Sequence, residues 1–116
     1  MNREIEIDVE KSKLWVRSDT FSGRYVSGRR LFAGYEGENE ATQLSFTFSA
    51  DFDGYTISLI FTVDGTDYTV GSYTDDFDYD IPSTYMVSEA VPLRIKAVSG
   101  DQIIYSDEII LEVQKI

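Results

Sequence analysis

Apolar and polar residues alternate with a period of two along most of this chain, the spacing of half-buried β-strands rather than of helices. In "EIEID" (Glu4–Asp8), Ile5 and Ile7 share one face, and Glu4, Glu6 and Asp8 share the other. "KLWVR" (Lys13–Arg17) reads as a second short strand. "QLSFTFS" (Gln43–Ser49) directs Leu44, Phe46 and Phe48 inward. "YTISLIFTV" (Tyr55–Val63) groups Tyr55, Ile57, Leu59, Phe61 and Val63 on one face. "TDYTVGSY" is its expected hairpin partner, joined through Asp64-Gly65, a strong turn signal. "PLRIKAV" (Pro92–Val98) sets Leu93, Ile95 and Ala97 against Arg94 and Lys96. A turn at Ser99-Gly100-Asp101 leads into "QIIYS" and "EIILEVQ".

From Ser49 onward these runs recur about every 8 to 12 residues with Gly, Asp or Pro between them, which predicts an antiparallel sandwich or barrel. The expected fold is all-β: one antiparallel, immunoglobulin-like β-sandwich of about seven or eight strands, with residues 1–116 as a single domain. The stretch from Ser18 to Ala41 is less regular and contains four glycines and the echo "SGRY", "SGRR". It is expected to be a loop, with room for a strand around Tyr25 or Leu31–Ala33.

Composition narrows the chemistry. The 116 residues include eight Tyr, seven Phe and one Trp, enough apolar mass for a packed core. The absence of Cys and His removes disulfides, thiolate nucleophiles, zinc-thiolate centres and His-dependent triads. "MNREIEIDVE" carries charges where a signal peptide needs an apolar core, and no apolar run approaches membrane-spanning length. No membrane partner and no signal peptide are therefore expected, with assembly in a cytoplasm.

A net charge of −11 disfavours nucleic acid. That charge is uneven. Residues 1–30 hold seven bases and five acids, residues 31–93 twelve acids and no base, and residues 94–116 three bases and four acids. The acidic excess serves either colloidal repulsion or charge-complementary docking.

Three motifs invite a chemical reading. "ADFDGY" (Ala50–Tyr55) has the beginning of a calcium loop, but the following "GYTISLIF" supplies no further acid before Asp64. The expectation is a turn capped and shaped by Asp51 and Asp53, with Phe52 tucked beneath it. "TDDFDYDIP" (Thr74–Pro82) packs Asp75, Asp76, Asp78 and Asp80 into six positions, either a weak calcium site or an exposed acidic loop. In the second case Phe77 and Tyr79 are buried on one side and Asp80-Ile81-Pro82 ends the strand. Arg24, Arg29 and Arg30 with Tyr25, Phe32 and Tyr35 make either a small nucleic-acid footprint or a protein contact, and the acidic remainder favours the latter. No nucleophile motif of the G-x-S-x-G or S-x-x-K kind is present, so no catalytic residue, cofactor or resident metal is assigned.

Taken in order, "AGYEGENEATQLSFTFSADFDGYTISLIFTVDG", "DFDYDIPSTYMVSEAVPLRIKAVSGDQII" and "YSDEIILEVQKI" resemble a small β-sandwich module of tailed bacteriophages of Gram-positive hosts. In those phages the module occurs in baseplate, tail-fibre and upper-baseplate proteins, or as a short virion protein alone. The resemblance runs from about Ala33 to Ile116, with Phe52 standing where tryptophan is expected in the turn. It implies a non-catalytic virion module that contacts other virion proteins or copies of itself, as a homo-oligomer in the latter case. Two rivals are kept beside it. One is a carbohydrate- or host-surface-binding module, calcium-assisted, for which Tyr68, Tyr73, Tyr79 and Tyr85 should form one exposed patch. The other is a small enzyme or inhibitor, for which a buried carboxylate pair should line a pocket.

Overall fold

A computed structural model describes residues 3–10, 13–18, 24–25, 30–87 and 90–116, with side-chain detail for 3–10, 31–87 and 90–116. Among these residues eleven strands run in chain order: β1 (Arg3–Glu10), β2 (Lys13–Ser18), β3 (Arg24–Tyr25), β4 (Arg30–Tyr35), β5 (Thr42–Phe48), β6 (Thr56–Val63), β7 (Thr66–Tyr73), β8 (Phe77–Asp80), β9 (Ala90–Ser99), β10 (Gln102–Tyr105) and β11 (Ile109–Gln114). Two single turns of 3-10 helix, Ala50–Phe52 and Ser83–Tyr85, complete the regular structure.

The strands form two sheets, β3-β2-β1-β5-β8 and β4-β11-β9-β6-β7, with β10 added alongside β9. Their inner faces share one core. The first sheet supplies Ile5, Ile7, Val9, Leu44 and Phe46, and the second supplies Ile57, Leu59, Phe61, Leu93, Ile95, Leu111 and Val113. Each such side chain, fully withdrawn from water, contributes about 1.5–3 kcal/mol before entropy is counted. Period-two alternation set up this arrangement, and the fold is the β-sandwich that it predicted.

Two features of the expectation need correction. The sandwich is mixed rather than purely antiparallel: β1 runs parallel to β5, and β11 runs parallel to β4. Alternation fixes which face of a strand is buried, and it is silent on which strand lies alongside and in which direction. The strand count also exceeds seven or eight. Part of the excess comes from the irregular stretch, where strands form at both places it had room for one: Arg30–Tyr35 is a strand of the second sheet, burying Leu31 and Ala33. Tyr25 lies in the short β3. The echoed "SGRY" and "SGRR" fall largely outside the described residues.

The hairpin expected at Asp64-Gly65 forms with Val63 opposite Thr66, and φ is +52° at Asp64 and +78° at Gly65. Positive φ at both central residues is the primed turn whose twist matches the strands it joins, and glycine reaches it without a Cβ clash.

Candidate functional site

The two acidic motifs meet at one end of the sandwich. Phe48, Phe52 and Ile57 floor a shallow cleft, and Asp53, Asp75 and Asp76 stand at its rim. Within "ADFDGY", Phe52 is buried beneath the 3-10 turn as expected, packing edge-on against Phe48 and Tyr55. The capping is different from expectation. The turn is closed by backbone, with the Asp53 N–H donating to the Ala50 carbonyl, and Asp51 accepts only a long 3.4 Å bond from the Ser49 hydroxyl. A turn this short satisfies its own donors, so no carboxylate is needed.

The four acids of "TDDFDYDIP" are drawn to separate partners. Asp75 accepts from the Asp76 N–H at 2.9 Å, and Asp76 accepts from the Phe48 N–H at 3.0 Å. Asp78 accepts from the Ser45 hydroxyl at 2.7 Å, and Asp80 accepts from the Gln43 amide at 3.2 Å. Register explains the last two, since β5 and β8 set Ser45 opposite Asp78 and Gln43 opposite Asp80. Among the described residues no three Asp or Glu converge as metal ligands would. Phe77 and Tyr79 pack partly buried against the core, and β8 stops before Pro82.

The four tyrosines do not make one exposed patch. Tyr85 is 7% exposed and stacks on Phe61 with ring centroids 4.5 Å apart, and Tyr73 stacks on Phe77. Tyr79 is half-buried beside Phe61. Its hydroxyl pKa is pushed up to about 12, chiefly because burial disfavours the phenolate, with Tyr85 and Tyr73 adding to the effect. Burial likewise raises Tyr85, and Tyr68 adds to it. Only Tyr68 of the four is strongly exposed, at 41%. Stacking across the gap between the sheets has consumed the faces that a sugar ring would need.

The buried polar residues among those described are Thr42 and Ser106, and neither was singled out in the sequence. No carboxylate pair shares a buried pocket there, which is the arrangement the enzyme reading required. Ser106 bridges the kink between β10 and β11, accepting from the Ile95 N–H at 2.9 Å and donating to the Asp107 carbonyl at 2.8 Å. Thr42 donates to the Ala33 carbonyl and accepts from Arg3 at 3.0 Å.

Arg3 is the centre of the most elaborate polar cluster described. Its guanidinium donates to both Glu38 oxygens, at 2.9 and 3.0 Å, and lies over the Phe32 and Tyr35 rings at 5.2 and 5.9 Å. Glu38 also accepts from the Tyr35 N–H at 2.6 Å. The Arg3 hydrogen bonds, then the backbone one, hold the Glu38 carboxyl below its ordinary range. Phe32 and Tyr35, two members of the expected arginine-aromatic patch, are thus engaged by an arginine from the opposite sheet. The Arg24, Arg29 and Arg30 side chains lie outside the described residues.

No protein-family model matches the chain, and no curated protein matches it. Two strands carry outward side chains on the surface, β10 at the side of β9 and β1 in the interior of its sheet. β10 presents Ile103 and Tyr105, each 52% exposed and two positions apart. The outward face of β1 carries Glu4, Glu6, Asp8 and Glu10, alternating with the core residues Ile5, Ile7 and Val9.

Proposed function

We propose that this chain is a non-catalytic assembly module of a tailed-phage virion, an immunoglobulin-like sandwich of the baseplate or tail-fibre kind acting through protein–protein contacts. The partners are other virion proteins or further copies of the chain. The observation that carries the contact part of this reading is the exposed pair Ile103 and Tyr105 on the short strand β10. Large apolar side chains with aromatic character are what protein interfaces use as anchors. The virion part rests on the resemblance of the segments from Ala33 onward, above all the order of the "LSFTF" strand, the "DFDG" turn, "YDIPSTYM" and the final hairpin.

Light scattering over a concentration series tests the contact, using the protein and its Ile103→Asp variant. An oligomer that the substitution dissolves supports copy-to-copy assembly. A monomer throughout restricts the reading to other virion proteins. Mass spectrometry of purified phage particles then decides it: stoichiometric presence supports the virion assignment, and absence from particles overturns it.

A further inference from the structure

We propose that the outer edge of β7 receives an extended cationic segment of a partner protein as an added strand, with lysine or arginine alternating with apolar residues. This rests on the assembly reading above and names the edge and the chemistry of its occupant.

The edge follows from register. The two-residue turn at Asp64-Gly65 makes Val63 and Thr66 the closing hydrogen-bonded pair, and alternation along the ladder makes Phe61 and Tyr68 the next. The N–H and C=O groups of Asp67 and Thr69 therefore point away from β6, toward the open side. Among the described residues β6 is the sole strand that pairs with β7. The ladder stays in register from Thr66 to Val70 and shifts only beyond, where Leu59 and Ile57 face Val70 and Tyr73. Five residues in register make a straight edge of roughly 17 Å.

Natural edges are blunted by brevity, proline, lysine or a bulge. β8 is four residues long, carries Asp78 and Asp80 and stops short of Pro82. β10 is also four residues, and β4 carries a register shift opposite Glu112 and Val113. β7 has neither Pro nor Lys over its length, its single charged residue is Asp67, and Thr66–Val70 is free of the shift.

The occupant's chemistry follows from the two faces of that edge. Tyr68 leans toward the core side, with its ring 5.8 Å from Tyr85, and stays 41% exposed. An apolar side chain of an added strand would cover it. Asp67, the next residue, points to the opposite face, accepts from the Thr62 hydroxyl at 2.6 Å and has Arg94 at 3.8 Å. A cationic side chain would lie beside it. Beyond that one pair, β6, β7, β8 and the 3-10 turn at Ser83–Tyr85 carry three acids, Asp67, Asp78 and Asp80, and no base. Like charge disfavours a second copy of β7 there and favours a basic strand.

Fluorescence anisotropy with a labelled nine-residue peptide of alternating lysine and valine tests this, against a glutamate–valine peptide of equal length. The lysine peptide is expected to bind at low salt, with the glutamate peptide at least tenfold weaker. Thr69→Pro removes an outward N–H that the β6 ladder does not use, and should weaken binding at least tenfold with the melting transition retained. Thr69→Lys, which keeps the backbone, should weaken it by charge. Binding unchanged in both variants, equal binding of the two peptides, or no binding at all would overturn the proposal. So would a dimer of the free protein that Thr69→Pro abolishes, since a second copy would then occupy the edge. Failure of the peptide test with Ile103-dependent association or particle incorporation intact leaves the assembly reading standing, whereas failure of all three removes both.

Discussion

Arg3 and Glu38 meet through two parallel hydrogen bonds, of 2.9 and 3.0 Å, that tie the first strand of one sheet to the loop leaving β4 of the other. The carboxylate is further anchored by the Tyr35 N–H, and the Arg3 N–H donates to the Ala41 carbonyl at 2.9 Å. The fork therefore joins segments distant in sequence at a place where the strands themselves do not pair.

Arg3→Met should cost about 1–3 kcal/mol, the range for losing charge-assisted hydrogen bonds in a partly shielded site. Arg3→Lys should recover only part, because an ammonium cannot present the planar two-pronged donor. Urea unfolding of the three proteins measures both differences.

The same pair makes stability depend on acid. Glu38 is held below its ordinary pKa, so the folded state binds its proton less readily than the unfolded chain does. The gap between the protein and Arg3→Met should be full above the ordinary glutamate range and close as pH falls through the lowered value. Urea midpoints collected between neutral and strongly acidic pH check the sign.

Gly34 has φ of +134°, and a Cβ there would come within 2.6 Å of Arg3 Nη1 and 3.0 Å of Met86 Cε. Gly34→Ala should destabilise by about 2–4 kcal/mol, combining backbone strain with displacement of the Arg3–Glu38 fork. Thermal melting reads the loss. A variant as stable as the parent would show that the fork does not need so close an approach to the backbone.

Tyr79 carries a hydroxyl pKa of about 12. A folded state that holds this proton more tightly than the unfolded chain loses stability as pH rises above the ordinary tyrosine range. Phenolate absorbance should therefore show one late-titrating tyrosine fewer in Tyr79→Phe, and alkaline unfolding of that variant should begin at higher pH.

Calcium should do little. With Asp75, Asp76, Asp78 and Asp80 each accepting a hydrogen bond from a different donor, about 1 mM calcium is expected to leave the melting temperature within about 1 °C. A larger rise would mean that the loop rearranges around the ion.

The inward residues were legible because alternation is itself the geometry of a half-buried strand: Ile57, Leu59 and Phe61 are buried as their spacing required. Thr42 and Ser106 were missed because their side chains are polar, although each stands in phase with apolar neighbours, Thr42 with Leu44 and Phe46, and Ser106 with Ile104. Phase outranked polarity at both positions. Ile60 is buried against the alternation, and the register places it between Thr69 and Arg94 on the outer face. The meeting of Arg3 with Glu38 could not be read, since nothing local links an N-terminal arginine to an acid in a glycine-rich stretch.

The two parallel ladders also set an order of events during synthesis. β4 emerges early, yet its partner β11 pairs Ile110 with Arg30 and Leu111 with Leu31, so the strand waits for most of the described chain before it is covered. Contacts this remote in sequence slow folding and leave a nascent edge unguarded in the meantime. A ribosome stalled before β11 would hold a half-closed sandwich, and a chaperone that shields Leu31 and Ala33 would be of most use at that moment.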